Sequence, residues 1–300
     1  MNLQKIARRF LFFLLTIPIF LSTIFLLVQT PNSRLAKTAS LASDSSDEDV
    51  TFFSREFPIV SAQGVYAYDL ATKEVLYEKD AESAFFPAST TKIITALVAL
   101  DFFNLEDKLN TGEFYVIGSK MGLSWNETIT VRNLLYGLLI SSGNDAAEVL
   151  AANYEGGREE FIRAMNKKAK EIGAVNTNFV NPSGLDSSDQ TTTARDLAII
   201  SAYAMENSIF AKIVATESFV AKDVGGSKIH YLKNKNELLG KVPGVAGVKT
   251  GWTENARENL VTFIERNGRR VIIAVLGSQD RFGETKELIE WIFETYWGKP

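Results

Sequence analysis

The sequence predicts an α/β (α+β) protein: one antiparallel sheet flanked by helices, with a helical subdomain, preceded by an N-terminal transmembrane helix. Three observations predict it. Strand-like patterns lie near both ends of the globular part, in residues 64–77 and 245–277, and helical periodicity fills the stretch between them. A charge-free apolar run, residues 10–28, belongs to neither pattern. Strands drawn from distant parts of the chain, with helices inserted between them, build an antiparallel sheet covered by helices.

The elements follow in order. Residues 10–28 read FLFFLLTIPIFLSTIFLLV, long enough as a helix to cross roughly 30 Å of hydrocarbon. Lys5, Arg8 and Arg9 precede this run. Residues 1–9 are therefore expected on the cytoplasmic side, residues 10–28 as a single-pass signal anchor in the cell membrane, and everything beyond as extracytoplasmic. The alternative is a cleaved signal, whose nearest small-x-small site, Ser40-Leu41-Ala42, lies well downstream. Residues 29–57, opening on a Ser-, Ala- and Asp-rich stretch, read as a flexible tether, and residues 58–300 as the globular domain. In that domain residues 64–69 and 74–77 flank a polar turn, a hairpin pattern. Helical spacing appears at 91–103, at 131–139 behind Thr130 as N-cap, at 145–154 and at 159–172. Asn181-Pro182-Ser183-Gly184 breaks the pattern and 194–206 resumes it. Strand character returns at 218–221 and 245–248. Residues 260–266 and 270–277 form a hairpin across Asn267-Gly268, a dipeptide that tolerates positive φ. A helix over 284–296 closes the chain.

Composition excludes several function classes. At 46% hydrophobic and 23% charged residues the chain can bury a large core. With no cysteine and one histidine, His230, it offers no disulfide, thiolate nucleophile, iron–sulfur ligand set or multi-histidine metal centre. No metal or cofactor is expected. Five of the 32 basic residues and none of the 36 acidic ones precede residue 44, so the rest of the chain is more acidic than the net charge of −4 suggests. Such a field repels nucleic acid. The 20 phenylalanines read as core and anchor rather than as a sugar-stacking platform.

Chemistry must come from other groups, and three short elements offer it. In Ser89-Thr90-Thr91-Lys92, residues three apart share a helical face, so the lysine amine reaches the hydroxyl. Held near other cations and away from water, Lys92 loses its proton and becomes the base that serine needs. Taken alone, this element reads first as a serine cap beside a surface lysine. In Ser142-Gly143-Asn144 the hydroxyl can relay a proton, and the amide can hold the lysine and a substrate carbonyl together; helix capping is the plain alternative. Lys249-Thr250-Gly251 continues an extended run, where a strand edge presents Lys249 and Thr250 to a carboxylate while Gly251 leaves room for substrate. An exposed strand end is the alternative there.

The ordered trio resembles the penicillin-binding and serine β-lactamase superfamily, with its Ser-x-x-Lys, Ser-x-Asn and Lys-Thr-Gly set. Residues 87–92, PASTTK, residues 141–147, SSGNDAA, residues 247–251, GVKTG, and residues 181–186, NPSGLD, are similar to the low-molecular-mass D-alanyl-D-alanine carboxypeptidases, peptidase family S11. The resemblance covers roughly residues 58–297 and implies a β-lactamase/transpeptidase-like fold. It implies Ser89 as the nucleophile that acylates on the penultimate D-alanine of a peptidoglycan stem peptide, Lys92 as its base, and Ser142 as proton shuttle to the leaving D-alanine. Asn144, Lys249, Thr250 and Gly251 would bind substrate, and the backbone N–H groups of Ser89 and Trp252 would form the oxyanion hole. Arg281 resembles an arginine placed near the substrate carboxylate, with a solvent-exposed arginine as the alternative. The implied ligands are stem peptides and β-lactams, the implied attachment is the membrane through the N-terminal helix, and the oligomeric state is left open.

Two departures stand out. Where the family commonly has Ala-Gly, this chain has Ala256-Arg257, which puts the local turn in question if that glycine needs positive φ. The chain also ends at Pro300, so the C-terminal β-rich domain and amphipathic anchor of many relatives are expected to be missing. Rival readings are a D-alanyl endopeptidase using the same site, a β-lactamase of the same fold, and a non-catalytic penicillin- or peptidoglycan-binding module. A class A β-lactamase needs a Glu-x-x-x-Asn element after Ser142, and the chain has that spacing only at Glu106 and Asn110.

Overall fold

The computed structural model describes residues 57–298. The expected cytoplasmic N-terminus, the anchor at 10–28 and all of the tether but Phe57 lie outside the described residues. Among the described residues no single helix is long and apolar enough to cross a membrane.

The domain opens with the expected hairpin, β1 (Gly64–Asp69) and β2 (Val75–Lys79). Its turn is fastened by Asp69 Oδ1, which accepts from the N–H groups of Ala71 at 2.7 Å and Thr72 at 2.9 Å. A 3₁₀ turn (Ala88–Thr91) then leads into α1 (Lys92–Phe102). After a small hairpin of β3 (Lys108–Asn110) and β4 (Thr128–Thr130) come α2 (Val131–Leu139), α3 (Asn144–Ala152), α4 (Gly157–Ile172), α5 (Ala194–Met205) and α6 (Ser208–Val214). Thr130 caps α2 as expected, its hydroxyl accepting from Asn133 N–H. Next are β5 (Ser218–Lys222), β6 (Ile229–Lys233), β7 (Val245–Thr253), β8 (Arg257–Arg266), β9 (Arg269–Ser278) and α7 (Arg281–Trp297).

The five-stranded sheet runs β2-β1-β9-β8-β7 and is antiparallel throughout, built from the two ends of the domain as the sequence predicts. The strand pattern at 218–221 does not join it: β5 pairs with β6 in a separate ribbon. Alternation along the central strands divides the core in two. Val261, Phe263, Ile272, Ala274 and Leu276 face the helical subdomain. Leu260, Ile264, Val271, Ile273 and Val275 face α7, where Leu288, Ile289 and Ile292 meet them. Asn267 and Gly268 both take positive φ, 50° and 75°, the left-handed pair that a two-residue hairpin requires.

α1 is the central helix of the subdomain. Residues from Lys92 through Ala99 are buried all round, so it is packed on every side rather than amphipathic. β7 is the opposite kind of element, an edge strand with one side hydrogen-bonded to β8 and the other open. The site lies where the head of α1 meets this edge.

The turn between β7 and β8 resolves the question raised by Ala256-Arg257. Arg257 adopts φ 56°, so the chain keeps the left-handed conformation while carrying a side chain there. For an L-residue that conformation costs about 1–2 kcal/mol, partly offset by the greater freedom glycine has in the unfolded chain. Arg257→Gly is expected to raise stability by up to about 1 kcal/mol, read as a higher urea midpoint at constant m-value. A lower midpoint would show that the arginine side chain contributes more than its backbone conformation costs.

Candidate active site

Ser89 lies within the 3₁₀ turn rather than at the start of the α-helix itself. This strengthens the expected pairing, because residues three apart eclipse in a 3₁₀ turn, and Lys92 Nζ is 3.0 Å from Ser89 Oγ. The turn is clamped from three sides. Thr90 Oγ1 donates to Pro87 O at 2.6 Å. Asn259, fully buried on β8, donates through Nδ2 to Phe86 O at 2.9 Å and Pro87 O at 3.1 Å, and its Oδ1 accepts from Gly277 N–H at 2.9 Å. Gly251 completes the clamp: a Cβ there would come within 3.1–3.2 Å of Pro87 O, Ala88 Cβ and Ser89 N. The room expected for substrate at Gly251 is thus used by the turn that carries the nucleophile.

Lys92 is fully buried, and its amine has three neighbours: Ser89 Oγ at 3.0 Å, Asn144 Oδ1 at 2.7 Å and Ser183 O at 2.5 Å. The two carbonyl oxygens can only accept. A neutral amine has two hydrogens and one lone pair, so with both hydrogens given to the carbonyls the lone pair is directed to the serine hydroxyl. Burial is the main influence on its protonation, followed by the positive charge of Lys235; Asp145 and Glu148 oppose them. The balance brings the Lys92 pKa down to about 7.

Ser142 and Lys249 form the facing pair. Lys249 Nζ donates to Ser142 Oγ at 3.0 Å and to Thr250 O at 2.9 Å. Burial, then Lys92, Lys235 and Arg281, hold its pKa well below the ordinary lysine value. An arriving carboxylate reverses that balance and draws a proton onto Lys249, so anion binding and charging go together. Ser142 itself sits at φ 62°, which sets its hydroxyl in the cleft from the junction of α2 and α3. Asn144, expected to hold lysine and substrate at once, does hold the lysine, while its Nδ2 donates to Ile117 O at 2.7 Å. One amide hydrogen is left for a substrate carbonyl.

Thr250 is buried beside Lys249, and Trp252 follows with its indole 64% exposed. Arg281, at the start of α7, is half-buried, with Nη1 donating to Gly251 O at 2.9 Å. That position, against the Lys249-Thr250-Gly251 strand, is not the solvent-exposed alternative.

Several supporting groups carry no signal in the three short elements. The Asn181-Pro182-Ser183-Gly184 turn delivers the Ser183 carbonyl to Lys92. Asn181 Oδ1 shapes it by accepting from Gly184 N–H at 2.7 Å and Leu185 N–H at 3.1 Å. Gly184, at φ +87°, lets the turn approach so closely that an added Cβ would lie 1.8 Å from Ala88 O. Lys235 is held by Ser119 Oγ at 2.7 Å. Asp145, fully buried, accepts from the N–H groups of Met121, Gly122 and Leu123 and so ties the 111–127 loop to α3. The single histidine lies in the same support: His230 Nε2 is 2.7 Å from Glu127 Oε1. No cluster of three or more His, Asp or Glu able to hold a metal ion occurs among the described residues.

Because only the neutral amine can take the serine proton, acylation of Ser89 by a β-lactam is expected to rise with pH through a single step near the Lys92 value of about 7. Lys235→Met removes a cation that keeps Lys92 deprotonated, so the step should move to higher pH, with slower acylation at pH 6 and recovery in alkali. Pre-steady-state acylation across pH reads both, and an unmoved step would remove Lys235 from this role.

Comparison with known proteins agrees with this geometry. A family model described as D-alanyl-D-alanine carboxypeptidase matches residues 51–280. A Mycobacterium tuberculosis D-alanyl-D-alanine carboxypeptidase is 37% identical over 246 residues, 77% of this chain and 82% of that protein. A Bacillus subtilis D-alanyl-D-alanine carboxypeptidase is 34% identical over 76% of this chain, which spans only 61% of that longer relative. An Escherichia coli D-alanyl-D-alanine endopeptidase is 30% identical over 92% of this chain and 88% of its own length. Among solved structures, a Streptomyces DD-transpeptidase superposes with a TM-score of 0.76 at 35% identity, covering 80% of this chain and 99% of its own. With its buried Ser–Lys pair, its Ser-x-Asn turn and its Lys-Thr-Gly edge strand meeting in one cleft, the chain belongs to the D-alanyl-D-alanine carboxypeptidase family of serine peptidases.

Proposed function

We propose that this protein removes the terminal D-alanine from peptidoglycan stem peptides through an acyl-enzyme on Ser89. The observation that carries the reading is the Lys92 amine, whose two hydrogens are taken by carbonyl oxygens and whose pKa of about 7 leaves a lone pair for the nucleophile. The carboxylate of the terminal D-alanine docks at Lys249, Thr250 and Arg281. Lys92 takes the hydroxyl proton as Ser89 Oγ attacks the penultimate carbonyl carbon. The charge that develops on the carbonyl oxygen is met by the N–H groups of Ser89 and Trp252. The peptide C–N bond breaks as Ser142 passes a proton to the departing amine. Water then attacks the ester, and the shortened peptide leaves with a new carboxylate. A β-lactam enters the same path and stops at the ester.

The uncharged run at 10–28 behind three cations supports attachment of this domain to the outer face of the cell membrane. After Ser142 the sequence contains no Glu-x-x-x-Asn element, which counts against rapid hydrolysis of a penicilloyl ester in the class A β-lactamase manner.

Fluorescent penicillin is expected to label the wild type covalently and to leave Ser89→Ala unlabelled at unchanged circular dichroism. Lys249→Ala should slow acylation about 10²-fold, the range seen when one preorganised polar partner is removed. Folded wild type that takes no label would establish a binding module without turnover. D-alanine release from a pentapeptide is expected to exceed cleavage of a D-alanyl cross-linked dimer, both followed by liquid chromatography; the reverse order would assign the endopeptidase reaction instead.

A further inference from the structure

Asn259 lies on β8 directly across the ladder from Gly251 of β7 and is fully buried. The strand on its other side is irregular at this point. Between the pairs Glu258–Ser278 and Leu260–Val275, β8 advances two residues while β9 advances three, and Gly277, at φ 66°, falls within this bulge. Gly277 N–H donates to Asn259 Oδ1 at 2.9 Å. An N–H can only donate, so this contact fixes which end of the amide is oxygen. Nδ2 then faces the opposite way, and its two hydrogens meet Phe86 O at 2.9 Å and Pro87 O at 3.1 Å.

Those two carbonyls belong to the chain immediately ahead of the Ser89 turn. Pro87 O also accepts from Thr90 Oγ1 at 2.6 Å, and a Cβ at Gly251 would stand 3.1 Å from it. The nucleophile turn is therefore held at a set distance from β8 by Asn259. β7 is held against the same stretch of β8 by the pairs Gly251–Asn259 and Trp252–Glu258. The N–H groups of Ser89 and Trp252, assigned above to the oxyanion, thus stand on two arms with one shared point of reference.

We propose that Asn259 is a positioning residue for acyl transfer: it sets the gap between the Ser89 and Trp252 N–H groups so that both reach the oxygen of the tetrahedral intermediate. It touches neither substrate nor the reacting atoms. Donors aimed at developing charge contribute most in the transition state, so misplacing them slows acylation and leaves initial binding nearly unchanged. The proposal rests on the acyl-enzyme at Ser89 and not on which peptide supplies the acyl group.

The test uses the full chain and a β-lactam. Stopped-flow kinetics separate the dissociation constant of the initial complex from the acylation rate constant, and the burst amplitude counts the molecules competent to react. Asn259→Ala is expected to lower the acylation rate constant about 10²-fold and to leave the initial dissociation constant within about threefold. Inhibition by a peptide boronic acid, whose boron bonds to Ser89 Oγ as a tetrahedral anion while the hydroxyl proton passes to Lys92, should weaken by a factor similar to the loss in acylation rate. A smaller competent fraction that acylates at the wild-type rate would assign Asn259 to folding alone and overturn the proposal.

Where the alanine variant yields no folded protein, Asn259→Asp decides by itself, since it keeps the shape and the acceptor for Gly277 N–H. As a neutral acid it still donates to one of the two carbonyls, and as a carboxylate it repels both. The ratio of variant to wild-type acylation rate constants, taken at the same pH, should therefore fall as pH rises. A charge at this position acting only on Lys92 would raise the lysine pKa and make the ratio recover in alkali, and a side chain that only fills space would leave it constant. Either result overturns the proposal. Wild type that forms no acyl-enzyme removes the reading beneath the proposal and the proposal with it, whereas an acylated wild type with unaltered variants overturns the proposal alone.

Discussion

Everything in this cleft depends on keeping an amine uncharged inside protein. A lysine side chain prefers water and a proton, and Lys92 is denied both by complete burial and by the cation of Lys235. What makes the buried amine specific as a base is the count of its hydrogens. Asn144 Oδ1 and Ser183 O take two, and the remaining lone pair has Ser89 Oγ as its neighbour. This arrangement opposes folding stability. Lys92 in the unfolded chain titrates near 10.5 and in the folded one near 7, so between those values the unfolded state binds more protons. Stability contributed through this group therefore rises with pH across that window and is lowest below it. The rest of the domain, especially the two apolar clusters on either face of the sheet, offsets that cost.

Much of the architecture was legible in the sequence because the signals are local. The apolar runs of β8 and β9, the Asn267-Gly268 turn between them and the Thr130 cap each specify their element within a few residues, and the structure places them accordingly. The three short elements of the cleft were legible for the same reason, since each brings its own short spacing. The structure adds how they meet: the head of a buried helix, a helix junction at Ser142 and the open edge of β7.

What was not legible is long-range or lies in the main chain. Asn259 is one polar residue within an apolar strand, and nothing nearby marks it as the group that anchors the Phe86 and Pro87 carbonyls 172 to 173 residues away in sequence. The Ser183 carbonyl has no side-chain signature at all. Lys235 looks like any surface lysine until Ile140 O accepts from its backbone N–H and Ser119 from its amine. Gly251 was read as leaving room for substrate, whereas the group packed against it is the Ser89 turn. Arg257 shows the converse, a residue that argued for a changed turn in a backbone that kept its shape.

The open edge of β7 has a consequence for the protein in company. An unpaired strand is a template on which other chains can build, and proteins usually shield such edges. Here part of the shielding is supplied by the cleft itself: the Ser89 turn lies against Gly251, and beyond it Thr253 Oγ1 donates to Asp186 Oδ1 at 2.7 Å, bridging strand to turn. The contacts that fix the Ser89 and Asp186 turns therefore also cover part of an edge on which another chain could otherwise build.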